Sequence, residues 1–74
     1  MKDILIDSEF ITLGQFLKLV DIIQSGGQAK FFLLEKDVYV NQLKENRRGK
    51  KLYEDDIIIV ENVGEYRIRT QKLN

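Results

Sequence analysis

The chain is 74 residues long, and its twelve basic and twelve acidic side chains give a formal net charge of zero. Chains near this size bury only ~60% of the surface that the unfolded form exposes, so we expect one small domain over residues 1–74 without a deep enclosed pocket. The absence of cysteine and histidine excludes disulfides, thiol nucleophiles, histidine bases and the usual zinc sites. We therefore expect a protein that is not an enzyme and that takes no cofactor, metal or small-molecule substrate.

The N-terminal third predicts an edge strand and a capped helix. Residues 3–6 (DILI) form a short apolar run, and a turn follows it. Thr12 and Gln15 have the spacing of a capping box, in which two side chains satisfy two free backbone amides. Apolar side chains then recur at helical spacing and predict a first helix over residues 13–23. They are Leu13, Phe16, Leu17, Val20 and Ile23.

A glycine pair separates this helix from a second one, which we predict over residues 27–35. Glycine favours helix ends, so Gly26-Gly27 should end the first helix, and Ser25 or one of the glycines should cap the second. Helices joined this closely cross at a steep angle, as in a helix-turn-helix. The first-turn amides of the second helix should then point outward at the corner, where they suit a phosphate.

The second helix has an apolar inner face and two apolar side chains away from it. Ala29, Phe32 and Leu33 form the inner face. Phe31 and Leu34 point elsewhere, so one of them could be exposed and stack on an RNA base. Packing against the C-terminal hairpin is the role that we favour for them.

The central part of the chain predicts strands joined by turns. Residues 38–40 alternate at strand spacing, and Asn41 and Gln42 form a turn before a short continuation at Leu43. Residues 57–60 are a β-branched run that should form a central strand.

The C-terminal part predicts a hairpin that closes the sheet. Leu52 and Tyr53 should re-enter the core before a turn at residues 54–56, and residues 65–70 alternate cleanly after the central strand. The fold class is therefore α+β, with two helices packed on a small, mostly antiparallel sheet of four or five strands.

Basic side chains are concentrated in one segment, residues 44–51 (KENRRGKK). It carries five basic residues and one acidic residue, a local charge of +4, and the remainder of the chain balances it at −4. No helical or strand period fits, so we expect an exposed irregular loop. Such a loop favours contact with nucleic-acid phosphates; the alternative is a solvated loop that keeps a small protein soluble.

Residues 12–60 resemble the S4 RNA-binding domain. Its pattern is roughly R-L-D-K-F-L, then S-R-x-x-A-x-x-L-I-x-x-G-x-V-x-V-N-G, then G-D-x-I-x-V, and the first two blocks occur here without gaps. The whole chain is similar to the free-standing bacterial S4-domain proteins of the YaaA-like group. The matching residues are Leu13, Phe16 and Leu17 in the first block, Ser25, Ala29, Phe32, Leu33, Val38, Val40 and Asn41 in the second, and Asp56, Ile57 and Ile59 in the third.

Five positions depart from that pattern. Thr12 and Gly14 stand in place of Arg and Asp, and Gly26 stands in place of the Arg after the serine. Lys36 and Gln42 each stand in place of a glycine. Two departures fall where the family often carries RNA-contacting charge, so we expect the basic segment to replace those contacts.

The resemblance implies the S4 (alpha-L) fold and RNA binding by backbone and shape recognition, with ribosomal RNA or tRNA as the target and an association with the ribosome. The N-terminus lacks the apolar core of a signal peptide, and no apolar run approaches the ~20 residues of a membrane span. We therefore expect a cytoplasmic bacterial monomer. The candidate RNA-binding residues are Lys18, Ser25, Gly26, Gly27, Gln28, Lys30, Asn41, Arg47, Arg48, Lys50 and Lys51.

Several candidates have a structural alternative. The glycine pair could serve only a tight turn, and Lys18 could be a solvated lysine. For Asn41, a bond to its own backbone is favoured over base readout. The acidic run at residues 54–56 could in principle hold Mg²⁺, but neighbouring side chains diverge, so a solvated turn is favoured.

The alternative function is a protein-interaction module that uses the acidic surface or an unpaired sheet edge. The two functions differ in one simple property, because only an RNA binder should co-purify with nucleic acid that high salt removes. Catalysis is not indicated, since Ser8 and Ser25 have no histidine partner and the glycines form no nucleotide-binding motif.

Overall fold

The computed structural model describes residues 1–71. Within that range the chain forms two helices and seven strands. In chain order they are β1 (Lys2–Ile6), β2 (Phe10–Thr12), α1 (Leu13–Leu19), α2 (Gly27–Glu35), β3 (Val38–Val40), β4 (Leu43–Lys44), β5 (Lys51–Tyr53), β6 (Ile57–Val60) and β7 (Gly64–Thr70).

Five of these strands form one sheet in the order β1-β7-β6-β3-β4. All of its pairs are antiparallel except β1 with β7, which run parallel with Ile4 opposite Ile68. The predicted α+β class and the mostly antiparallel sheet are confirmed, with β1 at an edge and β6 in the centre. β2 and β5 pair separately as an antiparallel ribbon. That ribbon is not apparent from the sequence, because three residues are too few to show a strand period.

The core forms where the helices pack on one face of the sheet. Leu13, Phe16 and Leu17 of α1 are completely buried. Phe16 meets Tyr66 of β7 edge to face, with ring centroids 5.2 Å apart. Each large apolar side chain removed from water stabilises the fold by ~1.5–3 kcal/mol, and the ring pair adds ~0.5–1.5 kcal/mol. The apolar face of α1 therefore anchors the helix to the sheet.

The first helix has the predicted start but an earlier end. The capping box is present: Thr12 Oγ1 accepts from the amide of Gln15 at 3.2 Å, and Gln15 Oε1 accepts from the amide of Thr12 at 2.8 Å. The predicted end at residue 23 is wrong, because α1 stops at Leu19 and Asp21 adopts a φ of 62°. The amide of Asp21 bonds Lys18 O at 3.1 Å, and the amide of residue 22 bonds the carbonyl of residue 17 at 3.0 Å. This is a Schellman motif, which an aspartate can complete in place of the usual glycine.

The second helix begins and ends where the sequence predicts, with Gly26 as its N-cap. Ala29 and Leu33 are buried, as expected for the inner face. The packing predicted for Phe31 and Leu34 against the C-terminal hairpin is wrong, since they are 65% and 70% exposed. Both lie away from the buried side of α2, and no described element covers them.

The core position predicted for Tyr53 is also wrong. Its neighbour Leu52 is fully buried, but Tyr53 is 42% exposed. Alternation along β5 turns Tyr53 outward, where its ring lies 5.6 Å from the ring of Phe10 on β2. The tyrosine therefore stabilises the ribbon rather than the main core.

The turn between β3 and β4 needs two residues in the left-handed region. Asn41 has a φ of 50° and Gln42 a φ of 74°. A two-residue hairpin turn in which both φ values are positive favours the sequence Asn-Gly. Asn41 is the favoured residue at the first of these two positions. Its side chain is also held, since its Nδ2 donates to Asp56 Oδ1 at 2.9 Å and its Oδ1 accepts from the amide of Ile57 at 2.9 Å. Gln42, which stands where the S4 pattern has glycine, is the strained member of the pair.

Replacing Gln42 with glycine should stabilise the protein. Relief of the left-handed strain, ~1–2 kcal/mol, exceeds the ~0.5–1 kcal/mol entropic cost of a glycine, so Gln42→Gly should raise the free energy of unfolding by roughly 0.5–1 kcal/mol. Urea denaturation followed by circular dichroism measures the change. Gln24→Gly is the matched control, since residue 24 is exposed and its φ is not positive. A Gln42→Gly protein no more stable than this control would contradict the prediction.

Candidate nucleic-acid interface

The basic loop, residues 44–51, is attached to the first turn of α1. The prediction that the whole segment is irregular is wrong at its two ends, because Lys44 ends β4 and Lys51 begins β5. The amide of Leu13 donates to Lys50 O at 2.8 Å, and the amide of Gly14 donates to Arg48 O at 2.9 Å. These two donors belong to the first turn of a helix, where backbone amides lack intrahelical partners. The loop carbonyls therefore complete the helix start, and the helix start fixes the course of the loop.

Gly14 is the point where the loop and both helices meet. A Cβ atom at this position would lie 3.4 Å from Arg48 O and 3.6 Å from the Cβ of Ala29 on α2. A shallow depression runs beside this point, from Thr12 and Gly14 to Gly26 and along the loop at Arg48 and Gly49. The structure thus places the basic loop beside the start of α2. A larger side chain at residue 14 would push them apart.

Two of the five loop cations are paired with carboxylates close by. Arg47 binds Glu45 through Nε and Nη2, at 2.9 and 3.0 Å, and its backbone amide adds a third bond at 3.0 Å. These bonds from Arg47 lower the pKa of Glu45 to about 2. Lys44 Nζ lies 3.0 Å from Asp37 Oδ1, and that hydrogen bond raises the pKa of Lys44. The loop is therefore braced at its β4 side by its own ion pairs.

The other cations have no ion-pair partner at contact distance, although the charge of Lys50 helps to lower the pKa of Glu45. Arg48, Lys50 and Lys51 form no ion pair with any residue in the range 1–71. Lys51 Nζ lies 4.9 Å from the centre of the Phe10 ring, a cation–π contact that orients the amine without neutralising it. Lys18 and Lys30 are exposed on the helices and likewise lack an ionic partner within the described chain.

The glycine pair at the start of α2 is not required by the fold. Gly26 has a φ of −60° and a ψ of −30°, and no glycine in the described range has a positive φ. A Cβ atom at Gly26 or Gly27 would meet nothing within 4 Å. Both residues are exposed, and neither amide bonds an acceptor in residues 1–71. Two backbone donors without a partner in the described chain therefore stand at this helix start, and neither glycine has the positive φ or the close neighbour that would require glycine.

Two other candidate residues, Gln28 and Asn41, use their side chains in the fold, and a third, Ser25, makes no side-chain bond in the described chain. Gln28 Oε1 accepts from the amides of Gln24 and Ser25, at 2.6 and 3.0 Å, so these amides are not free for a ligand. Ser25 makes no side-chain cap bond to α2. Asn41 uses both side-chain polar atoms within its own turn, as described above. The predicted site is thus a contiguous surface of loop and helix start, with Asn41 outside the depression that joins them.

The acidic turn at residues 54–56 is also occupied by structural bonds. Asp55 pairs with Arg69 at 3.3 Å, and Asp56 accepts from the amide of Tyr53 at 2.8 Å. No group of three potential metal ligands occurs in the part of the chain that the structure describes. Over the same residues, no helix is long and apolar enough to cross a bilayer.

Two helices packed on a small, mostly antiparallel sheet are the architecture of S4-type domains. A sequence model of the S4 domain matches residues 4–69 of this chain. The chain belongs to the S4 domain family, as the resemblance predicts.

A relative from Bacillus subtilis (strain 168), named probable ribosome maturation protein RlbA, is 57% identical over 63 residues. The aligned part covers 85% of this chain and 89% of that protein. The two chains therefore correspond over nearly their whole lengths.

Acid should loosen the basic loop through Glu45. The folded-state pKa of Glu45 lies below its ordinary value of 4.5, so the stabilisation by the Arg47 pair is present above that value and is lost as the pH falls towards about 2. Urea unfolding at about pH 5.5 and about pH 2.5 measures that loss. Glu45→Gln should show a smaller loss between the two conditions than the native protein. Identical losses in both proteins would contradict the assignment of this pair.

Proposed function

We propose that this protein binds ribosomal RNA and acts in ribosome maturation. Membership of the S4 family and the name of the Bacillus relative support RNA and the ribosome as partners. The observation that supports the proposal is that Arg48 of the basic loop and Gly26 at the start of α2, whose amide is free in the described chain, line the same depression. In this proposal residues 1–74 act as one RNA-binding unit, as a cytoplasmic monomer.

The loop cations supply most of the affinity in this mechanism. Each Lys or Arg near a phosphate releases condensed counterions, and that gain does not depend on the base sequence. Arg48 and Lys50 are best placed, since their carbonyls bond the first turn of α1 and neither forms an ion pair at contact distance with a described residue. Arg47 keeps exposed donors while Glu45 orients it. Lys51 extends the cationic surface over the β2–β5 ribbon.

The start of α2 positions the RNA backbone through hydrogen bonds, rather than adding positive side chains. Outward amides at a helix N-terminus bind a phosphate oxygen through hydrogen bonds and the helix dipole. Glycine permits the closest approach of an RNA backbone because it has no Cβ. Lys30, exposed one turn into α2, and Lys18 on α1 are proposed as flanking contacts. Ser25 could donate its hydroxyl to the same phosphate, and Gln28 shapes the corner.

Shape is the property that this surface is suited to recognise. Folded RNA exposes its phosphates and 2′-hydroxyls, whereas its deep major groove is closed to side chains. A rigid pair of contact points, one on the loop and one on α2, selects a particular spacing of phosphates. Both side-chain polar atoms of Asn41 are bonded within its own turn. Of the candidate RNA-binding residues, Asn41 is therefore the least suited to contact a base.

Removing loop cations that form no ion pair should weaken RNA binding and its salt dependence together. With about four phosphates neutralised at ~0.7 each, the plot of log affinity against log salt should have a slope of about −3. Arg48→Ala/Lys50→Ala should reduce it to about −1.5. Fluorescence anisotropy with purified ribosomal RNA fragments, tRNA and duplex DNA measures both quantities.

The matched control is Lys2→Ala/Lys36→Ala, which removes the same charge at exposed lysines outside the proposed surface. It should bind ribosomal RNA nearly as well as the native protein. Equal affinities for the two double variants would remove the loop from the mechanism. Preferential binding of tRNA or of DNA would contradict ribosomal RNA as the target.

Alanine variants of the glycine pair should change RNA binding without weakening the fold. Gly26→Ala/Gly27→Ala should leave the free energy of unfolding unchanged or raise it by about 0.4–1 kcal/mol per site, because both positions are open and accept an alanine. RNA affinity should nevertheless fall several-fold, since two methyl groups now stand beside the phosphate-binding amides. Gln24→Ala, in the same exposed segment, is the control and should leave the affinity unchanged. A fully active glycine variant would show that these amides do not contact RNA.

A further inference from the structure

The outer side of β1 is an open sheet edge. β1 is the terminal strand, and within the described residues it pairs only with β7. The amide of Gln71 bonds Ile6 O at 2.8 Å, so the backbone of Ile6 faces inward to the sheet. Backbone groups alternate in direction along a strand, which turns the amides and carbonyls of Asp3 and Leu5 outward. These unpaired groups form a template for another strand.

An apolar groove lies beside this edge, between β1 and α1. Its walls include Leu5, Ile11 and Leu19. Leu19 is 55% exposed at this groove, and Leu5, whose side chain alternates with the core-facing Ile4 and Ile6, is 61% exposed beside the same edge. A strand added to β1 would place alternate side chains against Ile11 and Leu19, which is how extended peptides gain affinity in edge-binding grooves.

The groove continues into an acidic depression. The two share Asp7 and Gln71, and the depression is further lined by Glu9 and by the exposed ring of Tyr53. Asp7 and Glu9 form no ion pair with the described part of the chain. The combined trough is therefore apolar along β1 and negatively charged at the end where β1 gives way to the turn before β2.

We propose that this trough binds an extended segment of a partner protein that carries basic residues next to alternating apolar residues. The segment adds to β1 as a further strand and bonds the backbones of Asp3 and Leu5. Its apolar side chains enter the groove, and its Lys or Arg residues pair with Asp7 and Glu9. Antiparallel pairing is the more stable arrangement, and it places the basic residues before the apolar ones in the partner sequence.

The trough shares no residue with the proposed RNA contacts. In this proposal a protein segment there and an RNA on the basic loop bind at the same time, side by side across Gln15, which lines both the groove and the depression beside the loop. The charges also differ in sign, because the trough attracts a cationic segment whereas the basic loop attracts phosphate. The two surfaces suit a small protein that joins an RNA to a basic protein.

The proposal is tested with a synthetic peptide, acetyl-Lys-Arg-Thr-Val-Thr-Val-Thr-Val-amide, and the ¹⁵N-labelled protein. Peptide titration should shift the NMR signals of β1 and of Leu19, and it should slow the hydrogen exchange of the Asp3 and Leu5 amides. A peptide with Glu-Glu in place of Lys-Arg should bind at least several-fold more weakly. Failure of the first peptide to bind at about 1 mM, or binding without protection of those two amides, would overturn the proposal.

Protein variants locate the contact. Leu19→Glu should weaken peptide binding roughly tenfold or more, the scale expected when a leucine no longer enters an apolar contact, and Asp7→Lys should abolish the preference for Lys-Arg over Glu-Glu. Leu34→Glu is the control, because Leu34 is a similarly exposed helical leucine on α2 that does not line the trough. Equal peptide affinities for Leu19→Glu and Leu34→Glu would contradict the proposal.

A second copy of the chain is the competing occupant. If two copies paired through β1, light scattering would show a dimer, and the Asp3 and Leu5 amides would already be protected without peptide and would lose that protection on dilution. That result would overturn the proposal of a basic partner segment. RNA affinity should be the same for native and Leu19→Glu proteins, so failure of this proposal is distinguishable from failure of the RNA-binding function.

Discussion

The candidate interface depends on how the two helix starts are completed. At α1, the amides of Leu13 and Gly14 bond carbonyls of the basic loop, and the amide of Gln15 bonds the Thr12 hydroxyl. At α2, the amides of Gly26 and Gly27 bond no residue of the described chain. Free first-turn amides attract anions, so only one of the two helix starts is open to a ligand. The bonds that close the first start also bring the cations beside the second.

Charge is arranged so that a neutral protein has a locally cationic surface. The pairs Arg47–Glu45 and Lys44–Asp37 lie at exposed or partly exposed positions, where ion pairs contribute only ~0–1 kcal/mol to stability. Their main effect is geometric, since they fix the β4 side of the loop. The loop carbonyl bonds to α1 fix the other side. Arg48 and Lys50 are thereby presented on a constrained backbone, which lowers the entropic cost of ordering the loop on binding.

Several large apolar side chains are exposed in this domain, and they differ in whether they lie beside the open sheet edge. Phe31 and Leu34 are exposed on α2 and do not line the groove, whereas Leu5 and Leu19 flank the open edge of β1. An apolar side chain at an open edge gains when a strand is added, because backbone bonds and burial are formed together. The acidic side chains at one end of the same trough add selectivity for charge.

The sequence by itself determined the elements whose cause is local. The capping box at Thr12 and Gln15, the glycine start of α2 and the β-branched run of β6 all depend on neighbours within a few residues, and all are present in the fold. The early end of α1 was not predictable, because Asp21 completes a motif in which glycine is usual, while Ile23 remains buried beyond the helix. The outward direction of Tyr53 and the exposure of Phe31 follow from which face other elements cover. Only the tertiary structure decided that the basic loop lies beside α1 and α2, because the contact of Gly14 with Arg48 spans 34 positions of the chain and its contact with Ala29 spans 15, and no local pattern records contacts of that separation.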